Sequence, residues 1–502
     1  MKTAEDYERE FEQAAAAVQA KQTGRGALRV VARADHGEME SYLDPLDEPL
    51  DTPAPRRRRA LKAVEAALSE DSAALRFTAR HKDDLRFCHT AGKWFRWDGA
   101  IWRPDGTGAA FHFARELARE MAASDFSKGA ILASKAAFAG AVERFARCDP
   151  AHARTADDWD KDPMILGTPG GLVDLATGKL GKSDPAAGVT KATAVAPASE
   201  PDCPLWRRFL QDATGDDGGL IRFLQQWAGY CLTGDTREHA LVFVFGEGGN
   251  GKSVFLNTLT GILGDYAAVA AMDTFTASHG DKHPTDLAML RGARLVTASE
   301  TEEGRAWAES RIKQMTGGDP VTARFMRQDF FTYRPQFKLT IIGNHKPVLK
   351  NVDDAAKRRF NIAPFTRKPA NPDRELEAKL KAEWPAILRW MIDGCRDWQT
   401  NGLIRPATLT DTTAAYFEDQ DLLGQWLSEE CDAEPDNPHK LESVAALFKS
   451  WGDYATRSGE LAGTIKTFSE KMQRRGFERG RTRMGRHFKG VRLIPSVTGD
   501  RS

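Results

Sequence analysis

The stretch LVFVFGEGGNGKSVFLNTLTGIL, Leu241 to Leu263, constrains the fold more than any other part of this 502-residue chain. Five apolar residues read as a buried strand, the glycine-rich middle as a tight turn, and the apolar residues recurring beyond Ser253 as a helix. The middle, Gly246-Glu247-Gly248-Gly249-Asn250-Gly251-Lys252-Ser253 with Val254 behind it, matches the phosphate-loop pattern G-x-x-x-x-G-K-[ST]. Glycines let the backbone N–H groups turn inward, and the following helix offers its positive end to an anion. Lys252 would reach the β- and γ-phosphates, and the Ser253 hydroxyl would ligate a metal. The expected ligands are a nucleoside triphosphate and Mg²⁺, and the loop alone does not distinguish a kinase, GTPase, transporter, packaging motor or helicase.

A nucleotide loop needs a sheet to stand on. From about 236 to 400 the chain alternates helical segments with four continuous apolar runs, ALVFVF, RLVTAS, FKLTIIG and RFNIAPF. Such runs predict a mainly parallel sheet covered on both faces, an α/β nucleotide-binding core. A helix over Pro372–Trp398 is expected behind it, its apolar positions at helical spacing.

Hydrolysis requires more than a cradle. The run Leu295–Ser299 delivers Glu300 at the end of a predicted strand, with Glu302 and Glu303 close behind. Glu300 is the first candidate for the metal-linked or base role and Glu302 the second, while Glu303 also fits a helix start, where acids favour the dipole. FKLTIIGNHKP ends a third strand at Asn344, whose neutral amide can orient an attacking water; Asn before a turn also occurs for backbone reasons alone. Arg358 and Arg359 precede the fourth strand, either as an ordinary surface pair or, in a ring, as arginines supplied across a subunit boundary to the transferred phosphoryl group.

Lys plus Arg and Asp plus Glu each number 71, so any nucleic-acid signal must be local. The cysteines Cys88, Cys148, Cys203, Cys231, Cys395 and Cys431 are scattered without zinc-ligand spacing, which suits a reducing cytosol. The N-terminus lacks a basic start and apolar core, and no apolar run approaches the roughly 18 residues of a span, so neither export nor a membrane partner is expected.

At about 150 residues per domain, roughly three domains are expected. Residues 1–75 read as a polar segment and linker, with Arg56–Arg59 either touching nucleic acid or flanking a helix that begins near Ala60. Residues 76–204 read as a mixed α+β region. In it KWFRWDGAIW is a hairpin about Asp98-Gly99, with Trp94, Trp97 and Trp102 as packing residues, and GTPGGLVDLATGKL is a second hairpin. Residues 205–402 hold the nucleotide core, 403–435 a helical connector, and 436–502 a compact basic unit.

That last unit reads as helix (Leu441–Tyr454), helix (Thr464–Arg475) and basic hairpin, a layout resembling a winged helix. Lys466 to Arg492 holds ten Lys/Arg against two Asp/Glu, a net +8 by subtraction. Ile465, Phe468 and Met472 share one helix face, leaving Lys466, Lys471, Arg474 and Arg475 mostly outward, and the hairpin adds Arg479, Arg481, Arg483, Arg486 and Lys489. A helix with a basic wing can dock DNA; the same fold also serves protein partners.

The glycine loop, ASETEEG (298–304), IKQMTGGDPVTARFMRQDFFTYRP (312–335), IIGNHKP (341–347) and KRRFNIAPF (357–365) occur in an order and spacing that resemble the superfamily 3 helicases of the phage and plasmid primase-helicase type, related to the poxvirus primase-helicase. The resemblance covers 205–400 strongly, and 76–204 looks like the region preceding the core in that family. It implies an AAA+-like core, a homo-hexameric ring, ATP-driven translocation on single-stranded DNA and 3′ to 5′ unwinding of forked DNA in a bacterial host's cytoplasm. Carried onto this chain, the family's acidic motif falls on Glu300 with Glu302, its water-sensing Asn on Asn344, and its arginine finger on Arg358 or Arg359, with Arg359 favoured because an apolar residue follows. The family's own motif spans Lys313, Gly317-Gly318-Asp319 and Arg324 and leads to a hairpin whose tip, near Arg327, would enter the ring channel. VTARFMRQDFFTY supports such a hairpin independently, and a basic tip can track phosphates without reading bases. The polar stretch before residue 76 carries no paired-acid motif of a primase-polymerase site, so primer synthesis is expected to be absent or to belong to a separate primase or polymerase. Two other readings fit the same residues: an initiator ATPase that melts or marks an origin without processive unwinding, and an NTPase acting on protein or RNA.

Overall fold

The computed structural model describes residues 69–123, 128–277, 285–299, 306–327, 329–349, 353–369, 371–458, 461–482 and 485–494. The N-terminal segment with Arg56–Arg59, the acids Glu300, Glu302 and Glu303, and Arg483 lie outside the described residues.

Helix α1 (Glu70–His81) starts at a reciprocal Ser69–Ser72 capping box, which satisfies two N-terminal N–H groups. It is followed by β1 (Leu85–Cys88), β2 (Lys93–Trp97), β3 (Trp102–Pro104), α2 (Ala109–Ala123), α3 (Lys128–Ala133), α4 (Ala136–Arg147) and β4 (Ala153–Arg154). Asp98 turns β2 into β3 by accepting the N–H groups of Ala100 and Ile101, which sets Trp97 opposite Trp102. Trp94 and Trp102 are buried, and the Trp94 indole donates to Glu143 at 2.7 Å, so these rings pack as the hairpin reading expects. Next comes the antiparallel meander of β5 (Ile165–Thr168), β6 (Gly171–Asp174) and β7 (Lys179–Gly181). Its Leu166 and Val173 share one apolar cluster with α5 (Pro204–Thr214) and α6 (Gly218–Tyr230), so the meander packs with the helices leading into the nucleotide core.

The core runs β8 (Leu241–Phe245), α7 (Lys252–Leu263), β9 (Ala267–Val269), α8 (Thr285–Ala288), β10 (Leu295–Ser299), α9 (Glu309–Gly317), β11 (Val321–Ala323), β12 (Phe331–Tyr333), β13 (Lys338–Gly343), α10 (Asp354–Arg359) and β14 (Phe360–Pro364). Five of these strands make one all-parallel sheet in the order β14-β8-β13-β10-β9. The four apolar runs all become strands, and β13 is buried at every position, as helices on both faces require. The edge strand β9 is three residues long, too short for an apolar run to announce it.

The helix expected over Pro372–Trp398 is interrupted. It forms α11 (Leu376–Leu380), a 3₁₀ turn and α12 (Trp384–Asn401), because Pro385 suits only a first helical turn. Glu383 in that turn accepts the N–H groups of Leu205 and Trp206 at 3.0 and 2.9 Å and so caps α5, which has no side-chain cap of its own. The stretch read as a connector divides between its neighbours. In α13 (Ala407–Gln420), Tyr416 and Phe417 pack with the sheet's residues, whereas α14 (Leu422–Glu430), capped by Asp421, sends Leu423, Trp426 and Leu427 into the C-terminal core. That core is completed by β15 (Cys431–Ala433), β16 (Leu441–Ser443), α15 (Val444–Arg457), α16 (Ile465–Arg474), β17 (Arg479–Thr482), β18 (Gly485–Lys489) and β19 (Val491–Leu493), with β16, β18 and β17 in one antiparallel sheet. Residues 441–443 are thus a strand and not the start of the helix.

Two buried cations underpin the sheet at the N-terminal ends of its strands. Arg294 donates to the carbonyls of Leu232 and Ile165 at 2.6 and 2.8 Å, tying β5 to the base of β10. Lys338 is held by the carbonyls of Thr233, Asp235 and Gln336, and burial lowers its ammonium pKa to about 7. All six cysteines are free thiols. Among the described residues no helix is long and apolar enough to cross a membrane.

Candidate active site

Strand β8 ends at Phe245 and the chain enters the glycine loop at the C-terminal edge of the parallel sheet, where loops from neighbouring strands converge. A side chain at Gly246 would put its Cβ 1.8 Å from the Phe365 carbonyl oxygen. Gly251, which caps α7, has φ +85°, and a Cβ there would stand 2.6 Å from the Phe209 ring. Both positions demand glycine, one for space and the other for conformation as well. Asn250 pins the loop to the Phe365 carbonyl, and exposed Glu247 pairs with Lys368 at 2.9 Å.

Inside this turn Lys252 is buried, and its Nζ donates to the carbonyls of Gly246 and Glu247 and to Asn250 Oδ1 at 2.7, 2.8 and 2.9 Å. Burial, with Lys368 nearby, lowers its pKa. A cation held by neutral acceptors in a concave backbone turn suits a polyanion. The turn opens on a cleft of about 940 Å³ whose wall includes Gly248, Gly249, Asn250, Gly251, Lys252, Ser253 and Val254, together with Thr297–Ser299 and Asn344. The parallel register explains this convergence: Gly343 lies opposite Phe245, and Ser299 opposite Ile342, so Asn344 and Ser299 stand beside the loop. The sequence-expected loop and Asn344 are therefore brought together.

Other expected site residues lie elsewhere. Phe360 pairs with Leu241 at the start of β8, so Arg358 and Arg359 stand at the opposite end of the sheet from the cleft. Arg358 is exposed, while half-buried Arg359 donates to the Ala355 carbonyl at 2.9 Å and keeps a buried Nε without a partner among the described residues. Lys313, expected at DNA, is instead ion-paired with Asp353, which caps α10. The hairpin β11–β12 forms with Val321 opposite Tyr333, and Arg327 sits exposed in its turn with φ +61°. Arg324, however, is stacked over the Phe330 ring at 4.6 Å, and Phe325, Met326 and Phe330 are exposed, so the tip is as apolar as it is basic.

In the C-terminal unit Phe468 and Met472 are buried, but Ile465 is exposed because it opens α16 beyond the packed face. Lys466, Lys471, Arg474, Arg481 and Arg486 face solvent. Arg475 is half-buried and pairs with Asp421 at the cap of α14. Arg481 and Arg486 lie directly opposite in the β17–β18 hairpin, a like-charge pair that an anion would relieve.

Some cleft residues carried no sequence signal. Leu205, Arg208, Phe209 and Asp212 on α5, with Arg367, Asn371 and Leu376, form its second wall. Lys346 rests 4.5 Å from the Phe245 ring, at the same sheet edge as the loop. Helical spacing identifies the buried face of α5 but not what its exposed flank faces.

Parts of the chain resemble known proteins. A family model described as "D5 N terminal like" matches residues 74–215, and one described as "Family of unknown function (DUF5906)" matches 244–359. The chain is 25% identical over 272 residues to "Putative helicase 022R" of Frog virus 3, covering 50% of this chain and 28% of that protein. It is 27% identical over 263 residues to "Putative helicase L207/L206" of Acanthamoeba polyphaga mimivirus, covering 47% and 27%. It is also 22% identical over 239 residues to "Putative primase C962R" of African swine fever virus, covering 43% and 25%. The chain thus spans about a quarter of the length of each of these relatives. A solved structure, "The A form apo structure of NrS-1 C terminal region-CTR", aligns over 82% of this chain and 96% of that one at 11% identity, with a TM-score of 0.46.

Proposed function

The chain fits the phage and viral primase-helicase type, and on that premise we propose that it is an ATP- and Mg²⁺-dependent replicative DNA helicase with an AAA+-like phosphate-loop core. The observation that carries this reading is the cleft at the C-terminal edge of the sheet, which buried Lys252 and the Asn344 strand end both line beside a loop that admits only glycine at Gly246. The residues present suit the nucleotide, because Lys252 can exchange neutral carbonyl acceptors for phosphate oxygens and the exposed Ser253 hydroxyl stands at the helix start for Mg²⁺. MgATP supplies the phosphoanhydride whose cleavage drives the motor. Asn344 orients water, and Glu300, next in sequence to the cleft residue Ser299, is the proposed base or metal-linked acid, with Glu302 as second choice.

Arg359 completes the site from a neighbouring subunit of a homo-hexameric ring. Its position at the far end of its own sheet supports supply in trans. Arg324 and Arg327 on the hairpin and Lys466, Lys471, Arg474, Arg481, Arg483 and Arg486 on a C-terminal winged helix engage DNA, with translocation along single strands 3′ to 5′. The three helices and antiparallel sheet of that unit, α14 followed by β16, α15, α16, β17 and β18, support the winged-helix reading.

Strand displacement on forked DNA tests the proposal. Wild type should separate the strands with ATP, and Lys252→Ala should not. ATP hydrolysis without displacement at either fork polarity would replace the helicase reading with that of an initiator ATPase.

A further inference from the structure

The β11–β12 hairpin carries a combination that phosphate tracking does not use. Between Arg324 and Phe331 it exposes Phe325 at 38%, Met326 at 70% and Phe330 at 59%. Its turn is formed by Arg327 at φ +61°, a region that residues other than Gly, Asn and Asp seldom adopt. The rings are ordered by their neighbours. Phe325 stacks on Phe331 with centroids 5.8 Å apart and planes at 28°, and the Arg291 guanidinium lies 5.2 Å from the Phe331 centroid. Phe330 is different: the Arg324 guanidinium stands 4.6 Å from its centroid, and most of the ring faces water.

A hairpin with only a structural role gains nothing from three large apolar groups in solvent. Arg324 stands against Phe330, Arg327 forms the turn and Arg291 lies against Phe331, so basic groups accompany the exposed apolar ones and the complementary partner is anionic with flat apolar faces. Unpaired nucleic-acid bases on a phosphate backbone have both properties, and aromatic rings interleaved with arginine bind single strands by stacking.

We propose that the hairpin tip is a base-stacking platform for single-stranded DNA, in which a base lies on the open face of Phe330 while Arg324 holds the ring's other face and Met326 packs at the base's edge. This rests on the DNA-motor reading and sharpens it. The tip grips bases as well as phosphates, without selecting among them, because every base has a π-face.

The experiment uses the full chain with two oligomers of equal length and charge, an oligothymidylate and its abasic counterpart, and a third that contains 5-iodouracil for photocrosslinking. The expected result is adducts on Phe330 or Met326 and a preference for bases over abasic sites of at least about fivefold. Phe330→Ala should lose that preference while binding the abasic strand as wild type does, and Phe330→Trp should keep it. Because the ring is exposed, both variants should melt at the wild-type temperature. Equal affinity for both oligomers, with adducts confined to 466–492, overturns the platform and leaves a DNA motor that holds phosphates only. Failure to retain either oligomer overturns the platform and the DNA reading together.

Discussion

Arg359 and Lys252 lie at opposite ends of one pair of parallel strands: Phe360 is in register with Leu241, and Pro364 with Phe245, immediately before the glycine loop. Four residue steps at about 3.3 Å separate the two ends by roughly 13 Å, so as the proposed finger the guanidinium would have to serve a cleft other than its own. Arg359→Ala should lower ATPase by about a thousandfold, the scale of a missing arginine finger. Mixing Arg359→Ala with Lys252→Ala subunits should restore part of the activity, since some interfaces then combine an intact loop with an intact arginine. If rings shown by labelling to be mixed recover nothing, supply in trans is wrong.

Lys313 bears on the same arginine through Asp353. The Asp353 carboxylate caps α10 by accepting the Ala356 N–H and also receives Lys313 from α9. Asp353→Ala should cost about 1 kcal/mol, as loss of an N-cap does, and Lys313→Met no more than about 0.5 kcal/mol. The salt dependence of DNA binding should be unchanged in Lys313→Met. A flatter slope would return Lys313 to the DNA surface.

Neighbouring arginines on α16 should behave differently. Arg474 is exposed, so Arg474→Ala should weaken DNA binding evenly across sequences and reduce the salt slope by about 1. Arg475 is committed to Asp421, so Arg475→Ala should lower stability by about 0.5–1 kcal/mol with little change in that slope. Denaturant melts and salt titrations of both variants separate the roles.

Lys338 should leave a signature in the pH dependence of folding. Its folded pKa, about 7, lies below its ordinary 10.5, so the native fold penalises the charged form. Below about 7 both states hold the proton and the penalty is complete. As pH rises toward 10.5 the native chain releases the proton first, and stability grows by up to about 1.4 kcal/mol per pH unit. Urea midpoints of wild type minus those of Lys338→Met should therefore increase between pH 6.5 and 9, with other titrations cancelling in the difference. A flat difference would mean that the carbonyls around Lys338 hold its proton throughout.

Gly246→Ala tests the cradle. Its Cβ would meet the Phe365 oxygen at 1.8 Å, so the loop must shift and nucleotide binding should be lost. Gly248→Ala, where a Cβ meets nothing within 4 Å, should bind nucleotide nearly as well as wild type. Equal binding by both variants, measured by fluorescent nucleotide titration, would show that the loop's shape is not decisive.

Local pattern suffices for much of this protein. The four apolar runs, the glycine loop, the Asp98-Gly99 hairpin and the basic C-terminal stretch are legible because strand period, turn chemistry and charge are properties of neighbouring residues. The same residues identify Lys252 and Asn344, since both follow strands whose C-terminal ends a parallel sheet brings together. Tertiary structure alone decided which charges are free. Lys313 and Arg475 look like the exposed basic residues around them until Asp353 and Asp421, 40 and 54 positions away in sequence, are brought to them. The separation of Arg359 from its own cleft, the burial of Lys338 and the open face of Phe330 have the same origin. Each depends on contacts between distant segments, and electrostatic role is set by what a charge meets in space.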